Sequence, residues 1–228
     1  MQGILLIDKP RGWTSFDVVN YVRKMVAVAE GKKPKNVKVG HTGTLDPLAT
    51  GLLVLLVGKE YTRRATELSK HDKTYEVVMK LGQTSSTGDE EGEKSFTSNQ
   101  IPTQDKIEAA ARRFVGDIMQ TPPIYSAIKV NGQRAYDLAR QGKSVELKPR
   151  PATIYSLAIT NYSYPLVHFT VSVSSGTYIR SLVEDIGAQL GTGAYMADLR
   201  RTVVGEYSLS AAQAIDCLKT ADSLQLLP

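Results

Sequence analysis

Residues 52–57 read LLVLLV, and this run, apolar at every position, constrains the fold more than any other segment. A strand with one solvated face alternates polar and apolar residues, whereas a strand covered on both faces is apolar throughout. Gly51 and Gly58 bound the run, as turn residues commonly bound strands. We therefore predict a central strand at 52–57, in a sheet that carries other elements on both faces.

The remaining segments show the periodicities of both helices and strands. After a first strand at 3–8, Thr14 or Ser15 is predicted to cap a helix whose apolar face includes Phe16 and Val19. Further predicted elements are a short helix near 60–69, a strand at 75–82, a helix at 103–115, strands at 152–160 and 166–174, a helix from about 177, a strand and turn at 198–209, and a terminal helix that carries Cys217. Because several neighbouring strands are joined by connections too short for a helical crossover, we predict one mixed α/β (α+β) domain over 1–228, with a largely antiparallel central sheet flanked by helices.

Cysteine and histidine are too scarce for two kinds of site. Cys217 is the only cysteine, which excludes an intramolecular disulfide framework and indicates a reducing compartment. The three histidines, His41, His71 and His168, have no spacing that predicts a zinc site. We expect neither a metal nor a disulfide.

The amino terminus and the apolar runs bear on location. Residues 1–13 reach an acid after only five apolar or small residues, so no signal-peptide core is predicted. No run approaches the length of a membrane span. We predict a cytoplasmic protein without membrane contact.

Positive charge is concentrated in two segments. The chain carries 28 Lys and Arg against 23 Asp and Glu, a net charge of +5. Residues 23–38 hold six basic residues and one acid, and residues 124–150 hold six against two, whereas acids predominate in 83–108. This distribution favours a basic face and a nucleic-acid partner, and the alternative is a set of solvated loops.

The segment 40–51, GHTGTLDPLATG, is the most informative one for chemistry. Pro47 pushes Asp46 out of the helical region into an extended conformation, and the glycines nearby permit close backbone approach. Asp46 also comes shortly before the strand at 52–57, where a scaffold presents a loop side chain with little positional freedom. We predict a rigidly held carboxylate, and the alternative is an Asp-Pro turn residue that bonds its own loop.

Phosphate chemistry is a further alternative for this region. A Walker loop requires Lys followed by Ser or Thr, and the sequence GKE at 58–60 lacks the hydroxyl. A metal-dependent phosphoryl-transfer enzyme built on Asp8, Asp46 and Asp72 stays open, although no motif supports the spacing of these residues.

Six segments, in this order along the chain, resemble the TruB-type tRNA pseudouridine synthases. They are GILLIDKPRGWTS at 3–15, GHTGTLDPLATG at 40–51, DKTYEVVMKLG at 72–82, QTPPIYSAIKVNGQRAYDLARQG at 120–142, SSGTYIRSLVEDIG at 174–187 and LRRTVVG at 199–205. The resemblance implies the pseudouridine synthase fold, with a thumb-like RNA-binding arm at about 120–151. It also implies isomerisation of the T-loop uridine of tRNA, at tRNA position fifty-five, to pseudouridine.

The resemblance also assigns roles to site residues. Asp46 becomes the essential catalytic aspartate, which acts without a cofactor. Because the target base must leave its stack, His41 is expected by similarity to lie against the disrupted stacking, while Tyr75 stacks on the flipped uracil. Tyr178 and Leu199 line the uracil site by the same similarity.

The matching arginine of the family pairs with the catalytic carboxylate, and here it is Arg180. Its local alternative is an ion pair with Glu184 at i+4 on the predicted helix. The route of the reaction stays open between covalent attack by Asp46 and proton abstraction through a glycal.

The mixture of polar and apolar residues at 121–142 predicts a mobile arm, and the resemblance implies that the arm docks on the T-arm of tRNA and orders upon binding. Its expected phosphate contacts are Lys129, Arg134, Arg140 and Lys143. Many members carry a further C-terminal RNA-binding domain of the PUA type, and the sequence to Pro228 predicts its absence here. We expect a monomer with tRNA as its partner. The main alternative function is a tRNA-binding folding chaperone that opens and reanneals the T-loop without catalysis.

Overall fold

A computed structural model describes residues 1–126, 128–130, 132–142 and 145–228, with the side chain of Arg140 left outside the description. The chain divides into two compact units. Unit 1 comprises Met1–Glu76 and Leu199–Pro228, and unit 2 comprises Val77–Asp198. The division concerns compactness, and the single catalytic domain expected over 1–228 stays a prediction.

The elements follow one another in a mixed order of strands and helices. The strands are β1 (Gly3–Lys9), β2 (Val39–His41), β3 (Thr50–Val57), β4 (Lys73–Leu81), β5 (Gln83–Ser85), β6 (Lys94–Phe96), β7 (Gly116–Gln120), β8 (Lys129–Val130), β9 (Gln133–Arg134), β10 (Arg150–Ser163), β11 (Leu166–Val173), β12 (Ala194–Val204), β13 (Tyr207–Ser208) and β14 (Gln213–Ala214). The helices are α1 (Ser15–Ala29), α2 (Lys59–Arg63), α3 (Ala65–Leu68), α4 (Gln104–Arg112), α5 (Ala135–Arg140) and α6 (Ile179–Leu190). Short 3-10 turns lie at Pro34–Asn36, Leu209–Ala211, Ile215–Cys217 and Ala221–Ser223. The chain passes from one unit to the other within β4 and within β12.

The central strand of unit 1 is β3, as the sequence predicts. Its neighbours give the order β14-β1-β3-β12, with β2 also paired to β3. Residues 51–57 are all buried. Alternate side chains enter two apolar clusters: one contains Leu53 and Leu55 with the buried face of α1, and the other contains Leu52 and Val54 with Leu68. The prediction of a strand covered on both faces is therefore confirmed.

The expectation of a largely antiparallel sheet is partly wrong, because the sheet is mixed. β1 pairs with β3 and β10 with β11 in antiparallel fashion, whereas β1 pairs with β14 and β3 with β12 in parallel. The parallel registers join Ile7 to Gln213 and Thr50 to Arg200. These partners lie far apart in the chain, so short connections between neighbouring strands gave no sign of them.

Helix α1 begins with a capping box. The Thr14 hydroxyl accepts a hydrogen bond from the Asp17 N–H, and the Asp17 carboxylate accepts one from the Thr14 N–H. Val18, Val19, Val22, Val26 and Ala27 form its buried face. Phe16 does not belong to that face: it is 60% exposed, and its ring centroid lies 5.8 Å from the Arg23 guanidinium.

Unit 2 contains a sheet with the order β4-β11-β10-β7. The predicted helix at 103–115 is α4, with Thr103 at its N-cap, and it ends at Arg112. Gly191 ends α6 in the left-handed conformation at φ +71°. The arm holds the β8–β9 hairpin and α5. Within the described ranges, no helix is both long and apolar enough to cross a membrane.

The predicted terminal helix around Cys217 is wrong. Residues 215–217 and 221–223 form separate 3-10 turns, and the exposed Cys217 ends the first of them. The buried residues of this segment are Ile215, Leu218, Ala221 and Leu224. Their spacing of three residues fits the three-residue turn of a 3-10 helix and not the 3.6-residue turn of an α-helix.

Candidate active site

Asp46 lies in unit 1, in a loop at 40–51 whose backbone is fixed by a buried hydroxyl. Ser15, the first residue of α1, is 2% exposed. Its Oγ donates to the Leu45 carbonyl at 3.0 Å and accepts from the Leu45 N–H at 2.8 Å. Because Thr14 caps the helix, the Ser15 hydroxyl is available to bond the backbone of Leu45. The residue before Asp46 is therefore attached to the start of α1.

A buried lysine fixes the other side of Asp46. The ammonium of Lys9, a residue with no exposed surface, donates to the carbonyl oxygens of Pro10 at 2.9 Å, Trp13 at 2.6 Å and Pro47 at 3.4 Å. Burial lowers the pKa of Lys9 to about 8, and the nearby Asp46 carboxylate opposes that shift. Lys9 thus holds the backbone after Asp46 and places a cation close to the carboxylate.

Arg201 of β12 holds both ends of the loop segment that contains Asp46. The side chain is 1% exposed. Its Nε donates to the Leu52 carbonyl at 2.7 Å, and its Nη2 donates to the Gly43 carbonyl at 3.0 Å. The backbone of Gly51 approaches the same residue so closely that a Cβ on it would lie 2.3 Å from the Arg201 carbonyl oxygen. Gly51 adopts φ +97°, which glycine tolerates best.

A third buried cation, Lys73 of β4, lies close to the same loop. A Cβ built on Gly43 would lie 3.4 Å from both the Lys73 Cε and an Arg201 guanidinium nitrogen. Lys73 donates to the carbonyls of Ser69 and His71. Burial lowers its pKa to about 8, and the charge of Arg201 adds to the shift. The loop therefore lies among positive charges whose hydrogen bonds go to backbone carbonyls.

His41 lies at the end of β2, where it is half-buried. Burial, and secondarily the charge of Arg201, lowers the pKa of its imidazole. The Nδ1 atom is buried without a hydrogen-bond partner among the described residues. A lowered pKa favours the neutral imidazole, so the exposed part of the ring can meet a base or a sugar without adding charge.

Of the other predicted site residues, two lie in unit 1. Tyr75 is on β4 and Leu199 is on β12, and each is 7% exposed. Four predicted residues, His41, Asp46, Tyr75 and Leu199, are thus in one compact unit.

The remaining two predicted residues lie in unit 2. Tyr178 is the N-cap residue of α6, and the Gln120 amide holds it by accepting from its N–H at 2.7 Å and donating to its carbonyl at 2.9 Å. Arg180 is buried and donates to the carbonyls of Thr87 at 3.1 Å and Tyr125 at 2.8 Å. It also forms a buried ion pair with Asp89 at 3.7 Å.

Glu184, the alternative partner of Arg180, is close enough for the charge of Arg180 to affect the pKa of its carboxyl. Burial raises the pKa of the Glu184 carboxyl, and Arg180 opposes the shift. The pairing of Arg180 with Asp46 stays a prediction.

The sequence interpretation missed Ser15, Lys73, Gln120 and Arg201 as site residues. Ser15, Lys73 and Arg201 act on backbone groups around the loop, and such roles have no motif. A signal did exist for Arg201. Side chains two residues apart on a strand share a face, so Arg201 lies in phase with the buried Leu199, whereas Arg200 points to the other face and pairs with Asp8 at 2.7 Å.

The arm residues are described in part. Lys129 and Arg134 are exposed. The Arg134 guanidinium donates to the Tyr136 hydroxyl at 2.7 Å and lies 5.7 Å from the centroid of its ring. Lys143 and the side chain of Arg140 lie outside the described residues, so their predicted phosphate contacts stay predictions.

The described residues give no support to a metal-dependent phosphoryl-transfer enzyme built on Asp8, Asp46 and Asp72. Asp8 is engaged with Arg200. Across the described ranges, no group of three or more His, Cys, Asp and Glu residues is arranged to hold a metal ion.

Known proteins match this chain over almost its whole length. Residues 31–179 match the N-terminal domain of TruB family pseudouridylate synthase, and residues 180–225 match the C-terminal domain of tRNA pseudouridylate synthase B. A tRNA pseudouridine synthase B of Chlamydia abortus is 43% identical over 228 residues, which are 100% of this chain and 92% of the relative. One of Dechloromonas aromatica is 46% identical over 222 residues, 97% of this chain and 71% of the relative.

A solved structure extends the likeness to the fold. A chain in the crystal structure of a Cbf5–Nop10–Gar1 complex aligns with a TM-score of 0.71 and 31% identity, over 95% of this chain and 53% of its own length. The family domains, the full-length relatives and the sequence motifs around Asp46 all agree. The chain belongs to the TruB family of pseudouridylate synthases.

Proposed function

We propose that this protein isomerises the T-loop uridine of tRNA, at tRNA position fifty-five, to pseudouridine, with Asp46 as the essential carboxylate. The observation that carries the proposal is the fixation of Asp46, whose loop is held by Ser15, Lys9 and Arg201. The relatives named tRNA pseudouridine synthase B support the choice of substrate.

The chemistry fits the groups present in the loop. The reaction breaks the bond between uracil N1 and ribose C1′ and forms a bond between C5 and C1′, while C5 loses a proton and N1 gains one. Atoms and electrons balance within the substrate, so no oxidant, reductant or phosphoryl donor is consumed. A fixed carboxylate can start the reaction either by covalent attack or by abstracting a proton on the way to a glycal. Both routes require the Asp46 carboxylate to lie beside the ribose of the target uridine, close to C1′ for attack or to the C2′ proton for the glycal route.

The other site residues receive roles in holding the base. The uridine must leave its stack before Asp46 can reach it, which costs a few kcal/mol. We assign Tyr75 to stack on the extruded uracil, a contact worth about 1–3 kcal/mol, and His41 to the disrupted stacking. Leu199 and Tyr178 line the uracil site, and Arg180 pairs with the carboxylate.

Affinity for the RNA is assigned to cations of the arm. Lys129 and Arg134 of the arm, together with Arg140 and Lys143, contact phosphates of the T-arm. We include in the proposal a single catalytic domain over 1–228 that acts as a monomer in the cytoplasm.

Tritium release tests the proposal directly. The protein is incubated, in EDTA, with a tRNA transcript labelled with tritium at C5 of its uridines. We expect tritium to enter water and the RNA to keep its length. An Asp46→Asn variant is expected to lose at least about a thousandfold in rate, while Asp216→Asn, the same change at an exposed carboxylate of unit 1, keeps its rate.

The folding-chaperone alternative separates at the same variant. Asp46→Asn is expected to bind tRNA as tightly as the unmodified protein. If the unmodified protein releases no tritium from the RNA but makes the T-arm anneal faster than it does without protein, the chaperone function is supported instead. Shortened RNA, or release that disappears in EDTA, would point to metal-dependent cleavage.

A further inference from the structure

Unit 1 contains a groove that the site around Asp46 does not use. It has a volume of about 500 Å³ and lies between α1, the 3-10 turn at 34–36, β2 and α2. Four of its lining residues are cations: Arg23, Lys24, Lys35 and Lys38. Its floor includes Val37 and Val39, which are buried.

The positive charge of the groove is not neutralised by the acid nearest in sequence. The described lining of the groove contains no carboxylate. Glu30, the only acid within residues 23–38, is engaged elsewhere, because it pairs with the amino-terminal ammonium and, at 2.8 Å, with Lys32. Lys32 and Lys33 are exposed in the same segment but do not line the groove.

Arg23 is positioned in advance for an anion. Its Nη1 donates to the Asn20 Oδ1 at 2.6 Å and its Nη2 donates to the Val39 carbonyl at 3.1 Å. These bonds use two of the five N–H donors of a guanidinium, and a fixed fork of this kind matches the oxygens of a phosphate. The guanidinium also lies 5.8 Å from the ring centroid of the exposed Phe16.

We infer that this groove binds the phosphodiester backbone of the tRNA substrate, outside the position of the flipped base. Gly40 lines the groove, and the next residue is His41, so the groove adjoins the loop that carries Asp46. A cationic groove beside the site, with one fixed guanidinium and three exposed ammonium groups, fits a polyanion that extends from the reacting nucleotide. The inference rests on the proposed function for the identity of the RNA.

The salt dependence of binding tests the groove with a charge-matched pair of variants. Lys35→Gln/Lys38→Gln removes two groove cations, and Lys32→Gln/Lys33→Gln removes two cations of the same segment outside the groove. The affinity for a tRNA transcript is measured from about 50 to 200 mM salt. Each lost phosphate contact lowers the slope of log affinity against log salt by about 0.7 to 0.9. We expect the groove pair to lower the slope by about 1.5 and the control pair by less than about 0.5.

A further variant, on α1, tests the groove without any change near the 3-10 turn at 34–36. Lys24→Gln on α1 is expected to lower the slope by about 0.7 to 0.9. Equal slopes for the two double variants, whether both lowered or both unchanged, would overturn the inference. Lack of any effect of Lys24→Gln would also overturn it.

The outcome for the groove is separable from that for the proposed function. Tritium release by the unmodified protein with equal slopes for the two double variants leaves the function standing and removes the groove. A lowered slope confined to the groove variants, without tritium release, keeps the groove as an RNA site and removes the isomerase.

Discussion

The loop at 40–51 and the arm at 120–151 both carry residues with proposed roles on RNA, but they are held in different ways. The loop receives hydrogen bonds from Ser15, Lys9 and Arg201, which lie 30, 38 and 158 residues from their acceptors or donors. The base of the arm also receives long-range bonds, because Ser181 and Arg180 donate to the carbonyls of Thr121 and Tyr125. Farther along the arm the bonds are local: the Ala135 N–H donates to the Ile128 carbonyl and the Tyr136 N–H donates to the Ser126 carbonyl.

The difference separates two tasks. A carboxylate that must meet one atom of the substrate requires a support that does not move with the ligand, and long-range bonds to buried side chains provide it. Cations that contact phosphates require exposure and reach, and local bonds are sufficient for them. The loop should therefore be sensitive to changes in the interior of unit 1, and the arm should tolerate substitution.

Two glycines give the largest contrast. Gly51→Ala places a Cβ 2.3 Å from the Arg201 carbonyl oxygen at φ +97°, and we expect it to cost about 3–5 kcal/mol of unfolding free energy. Gly132 of the arm has φ +83° and no neighbour within 4 Å of an added Cβ, so Gly132→Ala should cost about 1 kcal/mol. Urea unfolding measures both, and equal losses would contradict the contrast.

Adjacent arginines on β12 provide the next test. Arg201→Met leaves the carbonyls of Gly43 and Leu52 without these donors, and we expect a loss of about 2–4 kcal/mol in unfolding free energy. Arg200→Met removes a partly exposed ion pair with Asp8 and should cost less than about 1 kcal/mol. Tritium release should fall strongly only in Arg201→Met. Unchanged release in Arg201→Met would mean that the reaction does not depend on the hydrogen bonds of Arg201 to the loop.

The buried lysines predict a rise of stability with pH. The pKa of Lys9 falls from its usual 10.5 to about 8 in the folded protein. Between these values the unfolded chain binds more protons than the folded one, so the unfolding free energy increases as the pH rises. Lys9 contributes up to about 1.4 kcal/mol per pH unit. Unfolding from pH 8 to 9.5 should show this rise, and Lys9→Met should reduce it but not abolish it, because the pKa of Lys73 is also lowered to about 8. An unchanged slope in Lys9→Met would contradict the assignment.

Exposed cations of the arm should have the smallest effect on stability. Lys129→Gln and Arg134→Gln are expected to change the unfolding free energy by less than about 0.5 kcal/mol. Each should nevertheless lower the salt slope of tRNA binding by about 0.7 to 0.9. A loss of stability without a change of slope would mean that these residues support the arm and do not contact the RNA.

Local patterns in the sequence predict much of this molecule. The apolar run at 52–57 predicts β3, and Asp46-Pro47 before it predicts the rigid loop. The pattern also favours Thr14 over Ser15 as the helix cap, because Asp17 lies three residues after Thr14 and completes a capping box. The hydroxyl left over at Ser15 is the one that holds Leu45.

The features that the sequence did not predict depend on residues distant in the chain. The parallel partners Ile7 and Gln213 are set by how the whole unit packs, and no local pattern encodes them. Lys73 and Arg201 bind backbone carbonyls, which every residue possesses, so their targets have no sequence signature. The resemblance to a family supplied Asp46 and its neighbours, but it did not supply the groove at Arg23.

The two hydrogen bonds between Ser15 and Leu45 bear on the distance between the two proposed contacts with RNA. They attach the first turn of α1 to the loop of Asp46, and the same helix reaches Arg23 eight residues later, about 12 Å along its axis. If the groove binds a phosphate as inferred, α1 holds that contact and the proposed catalytic carboxylate at a fixed separation. The two proposals together predict that the reacting uridine lies at a fixed distance along the RNA from the phosphate bound near Arg23.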